Sequence, residues 1–183
     1  MNLQNKARRL ASISEKFEKT FGTLSDEQLN LRPAPDKWSI AQNIEHLIII
    51  NESYYPIFSA LHDGSFKVHF LGKIPFLVKF FGNTLLKHIS DRNKSRMKTF
   101  PIWEPSQSNV PAGILKRFLA QQTEFSEKML SCETFVENKT VIASPANEKI
   151  VYYLETAFDI IIAHEERHFE QANDVLTFIA SNR

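Results

Sequence analysis

Ile160-Ile161-Ile162-Ala163-His164-Glu165-Glu166-Arg167-His168-Phe169-Glu170-Gln171, near the C-terminal end of a 183-residue chain, decides how the rest is read. Around it, Leu154, Ala157, Ile161, His164, His168, Val175 and then Phe178 or Ile179 recur in steps of three and four. That is the period of a helix with one buried stripe, and it predicts a helix from about Glu148 to Ala180. His164 and His168 lie in the stripe. Four residues make about one helical turn, so both imidazoles can be aimed at one point. Two such nitrogens form half of a transition-metal site and call for a third ligand elsewhere.

Working back toward the N-terminus, Leu3, Ala7, Leu10, Phe17 and Phe21 define a first amphipathic helix that Gly22 ends. Ser25-Asp26-Glu27-Gln28-Leu29 reads as one capped turn. Pro33 and Pro35 then forbid a continuous helix from Leu31 to Asp36. A second helix starts near Trp38-Ser39, follows Ile40, Leu47, Ile50, Tyr54, Ile57 and Leu61, and closes at Asp63-Gly64. His46 falls within that stripe and Asn43 lies one turn before it. Polar groups in a buried stripe are costly unless something satisfies them. A third helix, with Pro111 as its first residue, carries Ile114, Phe118, Phe125 and Met129 to about Leu130.

No hairpin or strand signal separates these segments. The pattern therefore predicts an all-α fold: one domain, 1–183, built as an up-down four-helix bundle with a long crossover insertion between helices 2 and 3. The insertion, 65–105, is apolar and basic. Between Gly64 and Lys98, Phe66, Phe70, Phe76, Phe80 and Phe81 stand among Lys67, Lys73, Lys79, Lys87, Arg92, Lys94, Arg96 and Lys98, against Asp91 alone. A membrane-surface helix or an anion-attracting lid would fit that composition. No clean division into charged and apolar faces emerges, so an extra helix packed on the bundle with its lysines in water is the expectation.

Composition narrows the function. With 43% hydrophobic and 23% charged residues the chain is globular. A net charge of +1 argues for no nucleic acid. Five glycines disfavour β-rich and Rossmann-type architectures, which need glycine at turns and phosphate loops. A single cysteine, Cys132, excludes an internal disulfide and fits a reducing cytoplasm. Neither a signal-peptide pattern nor eighteen consecutive apolar residues occurs, so a soluble cytoplasmic protein without a membrane span is expected.

His46, His164 and His168 are thus the histidines inside predicted core stripes, and bundle cores are where facing helices build metal sites. Three neutral imidazoles leave coordination positions open, as in catalytic rather than closed structural sites. Zinc, nickel, manganese and iron all accept such a set. His62, His69 and His88 fall at a helix end or in the insertion, where surface positions are expected. His164-Glu165-Glu166-Arg167-His168 also satisfies the H-E-x-x-H pattern, which makes Glu165 a candidate proton acceptor for a metal-activated water. The extended protease form would need glycine at Gln171 and histidine at Asp174, and no strand is expected to hold a peptide, so a peptidase is disfavoured. Glu165 read as a solvated residue on a charged helix edge remains the alternative. Asn43 and Gln171 are candidate substrate-binding residues, Gln171 because it stands one turn beyond His168 on the interior stripe.

Leu24-Ser25-Asp26-Glu27-Gln28-Leu29, then Pro35-Asp36-Lys37-Trp38-Ser39-Ile40-Ala41-Gln42-Asn43-Ile44-Glu45-His46-Leu47, resembles the N-terminal half of DinB/YfiT-like proteins. His164 to Gln171 is similar to their last-helix motif, and Met97-Lys98-Thr99 with the stretch to Pro105 to their middle connection. The resemblance implies a four-helix bundle with a crossover, frequent homodimers, and a divalent metal held by His46, His164 and His168, with zinc or nickel preferred. It also implies thiol-dependent S-transferases using low-molecular-weight thiols, a thiol-dependent maleylpyruvate isomerase, or metal-dependent hydrolases acting on small-molecule substrates. The segment from Ser65 to Lys98 is longer than the usual connection. A non-catalytic metal-binding or interaction module of stress response is the competing expectation.

Overall fold

The computed structural model describes residues 2–91, 99–107 and 109–181. Helix α1 spans Leu3–Phe21 and is capped by the Asn2 side chain. The short α2, Asp26–Asn30, carries a capping box in which Ser25 and Gln28 satisfy each other's backbone donors. The same device, Ser39 with Gln42, starts α3 at Ile40 and fixes where its histidine points. Here α3 ends at Ser53 and α4 resumes over Tyr55–His62. The continuous second helix expected from the sequence is interrupted because Pro56, in the first turn of α4, has no N–H to donate.

The third long helix, α6, spans Ile114–Ser131, so Pro111 is not its first residue. Gly113 takes that boundary with φ +78°, a left-handed conformation that stops the helix from extending backward. After the short α7, Glu133–Glu137, the chain departs from expectation. Val141–Ser144 (β1) and Asn147–Tyr153 (β2) form an antiparallel hairpin, with Ile142 opposite Tyr152. The last helix, α8, therefore runs Leu154–Ser181 and does not begin at Glu148. The flanking Val-Ile and Ile-Val-Tyr-Tyr runs are β-formers around a Pro145-containing turn.

Four long helices make the bundle. α1 packs on α6 and α8, and α3 packs on the same two, which puts α1 and α3 on one diagonal. Cross-helix partners give the directions. Phe17 meets Phe118, so α1 and α6 are antiparallel; Lys6 bonds Asp159 and Arg9 bonds Glu166, so α1 and α8 are parallel. Glu52 pairs with Arg117 and His62 bonds the Ser131 carbonyl, so α3–α4 and α6 are parallel. A parallel pair cannot be joined by a tight loop, and the long crossover between them is the consequence.

That crossover contains the insertion. A 3₁₀ turn at Phe70–Lys73 leads into α5, Pro75–Ser90, which packs across α8 and β2. Gly82 makes the approach possible: a Cβ there would lie 3.0 Å from Thr156 Cγ2 and 3.3 Å from Tyr152 Cβ. Lys67, Lys73, Lys79 and Lys87 are exposed, as expected for a packed helix with solvated lysines. Arg92, Lys94, Arg96, Lys98 and most of the Met97-Lys98-Thr99 motif lie outside the described residues. Among those residues no helix is long and apolar enough to cross a membrane.

The core has three tiers. Phe17, Phe21, Phe118 and Phe169 form an aromatic cluster at one level, and Phe58, Phe125 and Phe158 another. Between them on α6 and α8 stand Gln121, Gln122 and Glu165, joined by Asn51 of α3.

Candidate metal centre

The three predicted ligands meet. His164 and His168 stack along α8 with ring centroids 4.4 Å apart, and His46 faces them from α3 at 5.1 and 4.7 Å. One ring nitrogen from each lies within 4.8 Å of the other two. His46 and His168 are buried and His164 is partly exposed.

Which nitrogens converge follows from their partners. His46 Nδ1 lies 2.6 Å from the Trp103 carbonyl oxygen, which can only accept, so Nδ1 carries the proton and Nε2 the lone pair. His168 Nδ1 lies 2.8 Å from Asn43 Oδ1. The orientation of that amide is fixed, because Asn43 Nδ2 donates to the Ser39 carbonyl at 2.8 Å. His168 therefore also keeps its lone pair on Nε2. This is the arrangement in which an outer hydrogen bond sets the tautomer of a metal-ligating histidine.

His46 Nε2 and His164 Nε2 face each other at 3.4 Å. Two nitrogens bound to one tetrahedral metal at ordinary bond lengths stand about 3.3 Å apart. Burial pushes His46 down to about 4, and burial with the nearby His46 and Arg167 charges holds His164 well below its usual range. Both are neutral at physiological pH, the form that binds metal. The donor set, its spacing and its protonation all fit a divalent transition metal.

Trp38 closes one side, its ring 4.9 Å from His46 and 6.0 Å from His168. Trp103 is held by its indole N–H on Ser53 Oγ at 3.2 Å. Its loop is tied down again where Ser106 donates N–H and O–H to the Glu45 carboxylate. The cluster opens on a cavity of about 570 Å³ that also reaches Arg167, His88 and Gln171.

The other expected site residues fall differently. Gln171 lines the cavity. Asn43 backs His168 and borders a separate, smaller cavity. Glu165 is fully buried: one of its carboxylate oxygens accepts from Asn51 Nδ2 and Gln122 Nε2, both at 2.8 Å, and the residue is not among those lining the cavity. Burial raises its pKa to about 7 against those hydrogen bonds. It is therefore not a solvated edge residue.

His88, expected on the surface, is half-buried on α5, and its Nε2 is enclosed without a hydrogen-bond partner among the described residues. His62 is exposed, as expected, and His69 is half-buried where it caps the 3₁₀ turn. The reading of the sequence missed Trp103, His88 and Arg167. Arg167 could have been found, since it lies inside the turn that joins the two histidines.

A family model described as the DinB superfamily matches residues 9–172. Among solved structures the chain is similar to YfiT from Bacillus subtilis, described as a probable metal-dependent hydrolase with an unusual four-helix bundle topology. The TM-score is 0.62 at 14% sequence identity, over 97% of this chain and 87% of that one, a likeness of fold. No curated protein matches the sequence.

Proposed function

The chain belongs to the DinB superfamily, and we propose that it is a metal-dependent enzyme in which His46, His164 and His168 hold a divalent transition metal through Nε2. The supporting observation is the pair of hydrogen bonds that fix two tautomers, Trp103 carbonyl on His46 and Asn43 on His168. A metal held there supplies Lewis acidity, lowering the pKa of water or of a low-molecular-weight thiol so that a nucleophile exists at neutral pH. The substrate is a small-molecule electrophile and the reaction a hydrolysis or S-transfer.

The protein's part is positioning and exclusion of water. Trp38 packs its ring against His46 and His168 and Trp103 fixes the His46 ring through its carbonyl, while the partly exposed His164 marks the side from which ligands approach. Gln171, on the cavity wall one turn past His168, offers an amide to a bound ligand. Glu165 is assigned no proton transfer, because it is fully buried off the cavity lining, with one carboxylate oxygen held by Asn51 and Gln122. The same placement argues against a peptidase, which would need that carboxylate at the metal. A homodimer is a further expectation that sedimentation would test.

The activity is tested by supplying zinc, nickel, manganese or iron(II), with and without thiols, to the purified chain and following small esters and alkyl halides. Turnover above metal and thiol alone, lost in His168→Ala, supports the proposal. No turnover under any combination supports the non-catalytic module instead.

A further inference from the structure

The cavity runs in a definite direction. On α3 its lining passes from His46 to Ile50 to Tyr54, one face in steps of four. On the antiparallel α8 it passes from His164 back to Ile161 and Ile160. Both paths lead away from the histidines toward the hairpin, where the Tyr54 and Tyr152 hydroxyls bond each other at 2.8 Å. Eight residues of helix span about 12 Å.

The insertion closes the open side: Phe81, Leu85 and Ile89, spaced by four on α5, all line the cavity. The charged residues among the described lining, Asp36 and Arg167, sit at the histidine end: Arg167 in the histidine turn, Asp36 two residues before Trp38. At the hairpin end the hydroxyl pair is satisfied internally and Ile150 adds further apolar surface. The volume is within the usual range for small-molecule sites, roughly 300–1,000 Å³.

We infer that the site takes an amphipathic small molecule, with a polar head at the histidines and an extended apolar body along α5 toward the hairpin. The position of the head rests on the metal reading above; the apolar chamber does not. Leu85 on α5 and Ile150 on β2 both line the chamber, and they are the residues that set the length of ligand accepted. The insertion is thereby the substrate-selecting wall of the bundle.

Calorimetric titration of the zinc-loaded chain with straight-chain alkyl hydroxamates tests the inference. Affinity is expected to climb about three- to four-fold per added methylene. It should level off by about ten carbons, when the helical span is filled. Leu85→Trp and, separately, Ile150→Trp should end the climb at shorter chains while zinc content stays unchanged; agreement between them guards against one variant folding poorly. A second arm titrates straight-chain alkanols into metal-free protein against a bound anilinonaphthalene sulfonate dye. If the metal reading fails, zinc and the hydroxamate heads do not bind, yet the alkanol climb persists. Alkanol affinity independent of chain length, or a climb that both tryptophan variants leave untouched, overturns the inference.

Discussion

His164 and Glu165 are neighbours in the chain, yet they belong to two polar regions built on opposite logic. On the His164 side, two outer hydrogen bonds turn His46 and His168 so that their lone pairs converge beside a cavity. On the Glu165 side, carboxylate and amides turn toward one another between two aromatic clusters, and Glu165 does not line the cavity beside the histidines. Buried polar groups thus come in two kinds. Those whose outward atoms are satisfied and whose inward atoms converge are set to bind a ligand. Those that bond one another tie helices together, and here α3, α6 and α8 meet at one oxygen of a carboxylate whose other oxygen has no hydrogen-bond partner among the described residues. A helix advances about 100° per residue, so one sequence motif can serve both.

Substitutions that affect one region and spare the other put this division to the test. The largest effect is expected from Glu165→Ala, which leaves the Gln122 donor unpartnered, reduces Asn51 to its longer bond with Gln121, and opens a void. A loss of about 3 kcal/mol in urea unfolding is expected, with metal content per folded chain unchanged. A loss of metal instead would merge the two regions. Asn43→Ala is expected to do the reverse: metal affinity, measured by competition with a chelator, falls about 10- to 100-fold while the fold is retained. Asn51→Ala, on the other side, should leave that affinity alone.

A smaller effect is expected from Glu165→Gln. It keeps the shape and removes a buried charge, so stability at pH 8 should hold or rise by about 1 kcal/mol. A catalytic role for the carboxylate would instead appear as lost turnover at unchanged stability.

The mildest prediction concerns Cys132, buried at the α6–α7 junction outside both regions. Burial pushes its thiol up from 9.0 to about 11. The folded state then favours the protonated thiol, a contribution complete below pH 9 and lost as pH rises toward 11. At pH 8 a disulfide reagent should label denatured protein at once and native protein only at the rate of opening.

Much of the centre was legible because it depends on spacing along a helix. His164 and His168 reveal themselves by four residues, and His46 by standing in an apolar stripe. The placement of Glu165 was legible in principle: Phe158, Ile162, Glu165, Phe169 and Ala172 form a second stripe in steps of four and three, mostly buried. The hairpin was hidden because Ile150, Leu154 and Ala157 continue the helical period into β2, so a short apolar run matched both patterns. Trp103 had no local signal. Its carbonyl reaches His46 from a loop 57 positions later in the chain, placed there by tertiary contacts: the indole on Ser53 and the clamp of Glu45 on Ser106. The crossover was legible as a long apolar insertion; its use as a cavity wall depends on Gly82 meeting the β2–α8 junction.

The most direct test of the histidine centre is the metal content of the purified full chain, measured by elemental analysis beside that of His46→Ala. About one divalent transition-metal ion per folded wild-type chain is expected, with nearly all of it lost in the variant. A folded His46→Ala protein that retains the wild-type metal content would contradict the three-histidine site.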